Sequence, residues 1–240
     1  MRIDAGNMSF RELADAIKNS SDKETVVDGC IGQRYIATAL GKGRKIVIYG
    51  TPGNALGAYL DGAEIELHGN AQEATGDTMN AGEITVFGSA GDATGYAMRG
   101  GRIFIEGDVG YRCGIHMKAY RDNRPAIVIG GRAGSFLGEY QAGGTMIVLG
   151  DNIGAKPIVG YFCGTGMHGG EIYLRCDKVP VKLPPQVKAE RVETLPEYAG
   201  SLVRQWCEKF GKDPLIYTGK GFIRLTPDSD NPYKRMYTGN

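Results

Sequence analysis

The chain has 240 residues, of which 42% are hydrophobic, and a net charge of +1. That length suits one domain with appendages, and the balanced charge, with no basic block, argues against a nucleic-acid or anionic-membrane surface. No run of 18 apolar residues occurs, the N-terminus has no apolar signal core, and the five cysteines lack a CxxC pair, so a soluble cytoplasmic protein without a disulfide framework or zinc ribbon is expected.

Residues 1–23 are read as an N-terminal capping segment whose helix covers roughly 8–20. Ser9 and Glu12 make the S-x-x-E capping box, and Phe10, Leu13, Ala14 and Ile17 form one apolar stripe. Such a helix would hide the open core at the end of a repeat stack.

The repeat occupies 24–176. Gly50, Gly69, Gly88 and Gly107 are spaced 19 apart, and each is followed seven residues later by Gly57, Gly76, Gly95 and Gly114; the pattern resumes at Gly131 and Gly138. A fixed period of this length marks stacked supersecondary units. Between the glycines, short strands alternate aliphatic residues: Ile46/Ile48, Ile65/Leu67, Ile84/Val86, Ile103/Ile105, Ile127/Ile129, Met146/Val148 and Ile172/Leu174. Alternation puts these on one face, and one coil per repeat stacks the strands in parallel. Two further columns read as interior: Leu56, Thr75, Thr94, Cys113, Leu137 and Cys163, then Leu60, Met79, Met98, Met117, Gln141 and Met167. The methionine column reads as core filling rather than a soft-metal site. The glycines are expected to supply the φ > 0 corners.

Two insertions break the period, at 117–125 and 151–162; the first carries Tyr120 and Arg121. Insertions in a solenoid become loops on one side, often the binding side. The outward strand column runs Val47, Glu66, Thr85, Phe104, Val128, Ile147, Tyr173, so its later half is apolar and should not be left wet. Either the tail or a partner covers it. Phe104, Val128, Ile147, Tyr173, Tyr120 and Arg121 are therefore the candidate interaction residues.

Residues 177–240 form a C-terminal extension. The run Val179–Pro185 reads as extended chain, and a helix at about 196–210 presents Leu202, Val203, Trp206, Cys207 and Phe210, which favours the tail as the cover. The last 25 residues show no usable period.

Residues that carry chemistry are not assembled by the repeat. His68, His116 and His168 fall in different rows, so a zinc site is not expected. A strand follows each glycine turn within about a dozen residues, so no helix N-terminus is there to receive a phosphate. Gly219-Lys220-Gly221 lacks the P-loop Ser/Thr, and the stacked Glu64 and Glu83 continue into Arg102, as a mixed solvated row would. No catalytic, cofactor or metal residue is predicted.

The runs IYGTPGNALGAYLDGAEIELHGNAQEATGDTMNAGEI, GDATGYAMRGGRIFIEGDVGYRCGIHMK and IVIGGRAGSFLGEYQAGGTMIVLG, with Gln33-Arg34-Tyr35 and Met98-Arg99-Gly100-Gly101, closely resemble the C-terminal glycine-repeat domain of the glutamate synthase large subunit. The same domain occurs in a formylmethanofuran dehydrogenase subunit. The resemblance covers roughly 10–176 and implies an all-β, single-stranded right-handed parallel β-helix, to which the residues themselves add the helical flanks; a left-handed helix is the alternative. It implies a non-catalytic scaffold, here a stand-alone subunit, that positions a synthase subunit and a glutamine amidotransferase subunit. FMN and the iron–sulfur cluster would sit in the synthase partner. A homo-oligomer stays open. A scaffold in an oxidoreductase of the formylmethanofuran dehydrogenase kind and a free-standing carbohydrate or acyl enzyme are the competing readings.

Overall fold

The computed structural model describes residues 1–178, 182–219 and 221–228. Val179–Val181 of the Pro-rich run, Lys220, Tyr233 and Tyr237 lie outside the described residues. Nine strands stack in parallel in chain order: β1 (Arg2–Asp4), β2 (Glu24–Ile31), β3 (Lys45–Thr51), β4 (Asp61–His68), β5 (Ala81–Val86), β6 (Arg102–Ile105), β7 (Ala126–Ile129), β8 (Ala142–Val148) and β9 (Gly169–Leu174). The molecule is thus a parallel β-solenoid of about seven repeat coils. The register pairs the aliphatic positions directly, Ile46 with Ile65, Ile65 with Ile84, Ile84 with Ile103, and Ile103 with Ile127. Each side chain therefore meets its equivalent one coil away, and the interior is a set of apolar ladders.

The other interior columns hold as well. Leu56, Thr75, Thr94, Cys113, Leu137 and Cys163 are fully buried, as are Leu60, Met79, Met98, Met117, Gln141 and Met167. A further hydrogen-bonded row links Ala71, Ala90, Val109, Ala133 and Val159. The polar members of these two columns are tied to nearby carbonyls: Thr75 Oγ1 donates to Gln72 O, Thr94 Oγ1 to Gly91 O, and Gln141 Nε2 to Gly143 O.

The glycines divide the work differently from the sequence expectation. The second glycine of each coil, Gly57 through Gly164, does lie at φ 65–73°. It is flanked two residues before and two after by residues that are mostly not glycine, yet also left-handed: Ala55 (63°) and Tyr59 (58°), then Ala74 and Thr78, Ala93 and Ala97, Arg112 and His116, Phe136 and Tyr140. A left-handed L-residue costs roughly 1–2 kcal/mol. Here each such N–H donates into the next coil, Ala55 N to Glu73 O at 2.9 Å and Tyr59 N to Asp77 O at 2.7 Å, which offsets that cost. The first glycine serves close approach: a Cβ at Gly69 would stand 2.0 Å from Gly50 O.

Helix α1 (Phe10–Asn19) begins at the capping box, with Ser9 N donating to Glu12 Oε2 at 2.7 Å and Glu12 N to Ser9 Oγ at 3.3 Å. Leu13 and Ile17 enter the solenoid core, and Arg44 Nη2 donates to Ile17 O. Strand β1 was not anticipated within 1–23. Three residues with one apolar side chain give no alternation to detect, and the strand exists because β2 offers it an edge.

The tail returns on the stack. Strand β10 (Val187–Val192), helix α2 (Glu197–Phe210), helix α3 (Pro214–Thr218) and β11 (Phe222–Pro227) follow β9. β11 pairs antiparallel with both β9 and β10, so the order ends β9-β11-β10 and the edge of β9 is covered. No helix among the described residues is long and apolar enough to cross a membrane.

Candidate interaction faces

The apolar outward column is one register row, Thr85, Phe104, Val128, Ile147, Tyr173. Phe104, Val128, Ile147 and Tyr173 are all fully buried. They form a second core with Leu202, Val203, Trp206 and Cys207 of α2. These four are therefore not an open surface: the chain's own helix occupies the row. Burying Leu202, Val203 and Trp206 stabilises by about 1.5–3 kcal/mol each. Trp206 Nε1 donates to Ile105 O at 2.8 Å, which satisfies the one polar atom the indole carries inward. The rim is charged. Lys209 pairs with Glu83, Lys212 with Asp151 at 3.1 Å, and Arg102 Nη1 donates to Gln205 Oε1 at 3.1 Å. At the far end Tyr173 OH donates to Glu171 at 2.8 Å, and burial, then Glu171, push its pKa up. Arg224 bridges Glu171 and Glu190, and those bonds raise its pKa.

Tyr120 and Arg121 are exposed on the first insertion. The loop closes on itself through Tyr120 N to Asn123 O at 3.1 Å and Asn123 N to Tyr120 O at 3.0 Å, with the Arg121 guanidinium 5.3 Å from the Tyr120 ring centroid. Tyr198 OH of α2 donates to Arg124 O at 3.4 Å, so the loop also leans on the tail. The structure does not bring Tyr120 and Arg121 together with the buried row.

A different exposed face lies at the left-handed corners, and the sequence reading missed it. The column two residues before the second glycine runs Ala55, Ala74, Ala93, Arg112, Phe136, Phe162, from small to large. Arg112 lies 4.7 Å over Phe136, which stacks on Phe162 at 4.9 Å. Beside them Tyr111 and Tyr161 stand as exposed walls, with Ser135 between them in the same column. A groove of about 470 Å³ runs between these walls and is also lined by Arg132 and Pro157 of the second insertion. Arg132 Nε donates to Pro157 O at 3.1 Å, and Arg112 pairs with Glu139 at 3.0 Å. The gradient lies one residue before the interior column Leu56–Cys163, in the same alignment on the second glycine, and is legible there once outward as well as inward columns are followed.

A family model described as the GXGXG motif matches residues 9–214. The chain belongs to the GXGXG-motif family. The family is the glutamate synthase C-terminal type of domain, and it spans most of the chain. An uncharacterized protein of Methanocaldococcus jannaschii, MJ1350, is 42% identical over 254 aligned positions, covering 98% of this chain and 95% of that protein.

In this GXGXG chain Cys30, Cys113, Cys163, His68 and His116 are built into the stack, and Cys207 is buried on α2. Burial pushes the Cys113 and Cys163 thiols up to about 12, which leaves them protonated and inert at neutral pH. Cys30 and Cys207 are likewise pushed to about 11 by burial. His68 lies between the rings of Tyr49 and Phe87, at 4.7 and 4.6 Å, with Nε2 2.8 Å from Glu66 Oε1. His116 stacks on Tyr140 at 5.2 Å. Among the described residues no three His, Cys, Asp or Glu side chains are grouped to hold a metal.

Proposed function

We propose that this chain is a non-catalytic scaffold subunit of a glutamate synthase, holding an amidotransferase subunit and a synthase subunit that together convert glutamine and 2-oxoglutarate to glutamate reductively. The reading rests on one observation, the GXGXG match over residues 9–214. The fold agrees with such a role. A solenoid filled by apolar ladders is stiff, and it offers partners long side faces rather than a pocket. Parallel strand–crossover–strand connections are right-handed in nearly all proteins, and we take the coil here as right-handed. On this reading FMN and the iron–sulfur cluster belong to the synthase partner, this chain holds no cofactor, and the assembly works in the cytoplasm. The test is co-expression with the synthase-type and amidotransferase-type subunits of the same genome. A stoichiometric complex with these is expected. Co-purification with a formylmethanofuran dehydrogenase-type subunit instead would overturn the glutamate synthase reading.

A further inference from the structure

Over six of its coils, from Ala55 to Phe162, the corner face matches itself when it is turned end for end. Hydrogen bonds between coils fix its columns: Ala55 N to Glu73 O, Ala74 N to Asp92 O, Ala93 N to Tyr111 O, Arg112 N to Ser135 O, and Phe136 N to Tyr161 O. Six successive coils thus present Ala55, Ala74, Ala93, Arg112, Phe136 and Phe162 in one column and Asn54, Glu73, Asp92, Tyr111, Ser135 and Tyr161 in the column beside it. Among these six, the first three carry alanines with Asn54, Glu73 and Asp92 beside them, and the last three project aromatic rings and carry Arg112 and Arg132; the exposed Tyr35, with Arg34, belongs to the coil before Ala55 and lies beyond the outermost pair.

A two-fold axis lying in this face, perpendicular to the solenoid and between the third and fourth of these coils, keeps each column and reverses the coil order. It sets Ala55 against Phe162, Ala74 against Phe136, and Ala93 against Arg112, small against large in every pair. The outermost pair sits roughly 12 Å from the axis, at the ~4.8 Å spacing of stacked strands. In the neighbouring column Glu73 meets Ser135, the short residue between the walls of Tyr111 and Tyr161, where Arg132 lines the groove. Asp92 meets Tyr111, beside Arg112. One row further, Asp77 faces Glu139, an acid already held by Arg112 at 3.0 Å and only 9% exposed.

We propose that this chain forms a two-fold dimer through the corner face, with Glu73 of each copy entering the Tyr111–Arg132–Tyr161 groove of the other. The complementarity of size and of charge comes from the same axis, which is what a self-recognising isologous interface requires. Exposed Tyr, Phe and Arg side by side are also the residue types that carry interface energy. This reading goes beyond the scaffold role and stands whether or not that role is right.

The test is the oligomeric state of the full chain by sedimentation equilibrium across a concentration series. The wild-type chain is expected to dimerise. Glu73→Arg alone and Arg132→Glu alone should each raise the dimer dissociation constant by about tenfold or more, because like charges then meet at both ends of the interface. An equimolar mixture of the two variants restores opposite charge at both contacts, so a heterodimer of wild-type affinity is expected, and it also proves that both variants fold. Ala74→Trp fills the recess that Phe136 needs; the residue position already accepts an aromatic side chain at Phe136, φ 63°, so a folded monomer is expected. A wild-type chain that stays monomeric throughout, including one whose corner face is instead occupied by a different protein, overturns the proposal. So does a mixture that fails to dimerise, or an Ala74→Trp chain that dimerises normally.

Discussion

Phe104→Ala isolates the contact between solenoid and tail. Phe104 is fully buried in the second core, under α2, and Lys209 Nζ lies 5.2 Å from its ring centroid. Removing a buried Phe ring costs about 3–5 kcal/mol, and the lost cation–π contact adds about 0.5–1 kcal/mol at a partly exposed lysine. We expect a loss of about 4 kcal/mol, in the middle of that range. The assay is urea unfolding, followed at once by far-UV circular dichroism and by tryptophan emission. Trp206 is the sole tryptophan, and it packs in the same cluster, so its emission reports the docking of α2 directly. In the variant, the emission transition should move to lower urea, ahead of the β-sheet signal if the tail releases before the coils melt. A loss below about 1 kcal/mol, with the two signals still coincident at the wild-type midpoint, would refute the claim that the tail seals this row.

Further outcomes are expected from single changes. Gly69→Ala forces a Cβ to within 2.0 Å of Gly50 O, a backbone atom that cannot yield without moving a coil, so this variant should fail to fold or lose more than about 3 kcal/mol by urea titration. Gly211→Ala is the contrast: φ is 62° and nothing lies within 4 Å, so only the left-handed conformation is penalised, at about 1–2 kcal/mol. In the native chain, Cys113 and Cys163 should resist a thiol reagent at pH 8 and react on denaturation, as read by mass spectrometry of labelled peptides. Burial works to raise the pKa of Glu66, but hydrogen bonds from Lys45 and His68 outweigh it and hold the carboxyl below the usual 4.5. Its contribution is therefore present above that value and lost as pH falls through the lower folded one. Glu66→Gln should be less stable than wild type at neutral pH and converge with it in acid.

How much of this was legible followed from periodicity. The coils, the strand positions and the interior columns could be read because each repeats at least six times, and a wrong alignment would put polar residues inside. The cover over Phe104–Tyr173 was an open choice in the sequence, because a row can be apolar for a partner or for the chain itself. What closed it was a tertiary contact between residues about 100 positions apart, Trp206 and Ile105. Strands β1 and β11 exist because a neighbouring edge needed pairing, so their own residues carry little signal. The left-handed Ala, Thr, Tyr and Phe residues were hidden for a related reason: glycine advertises positive φ, while these positions are held there by hydrogen bonds to the next coil. The corner face was overlooked with them.

The scaffold role is tested most directly by glutamine-dependent glutamate synthesis, measured with the synthase-type and amidotransferase-type subunits in the presence and absence of this chain. The account predicts no turnover by the chain alone, and a coupled activity that requires it to be bound. Turnover of glutamine by the isolated chain, or full coupled activity from partners that never bind it, would contradict the account.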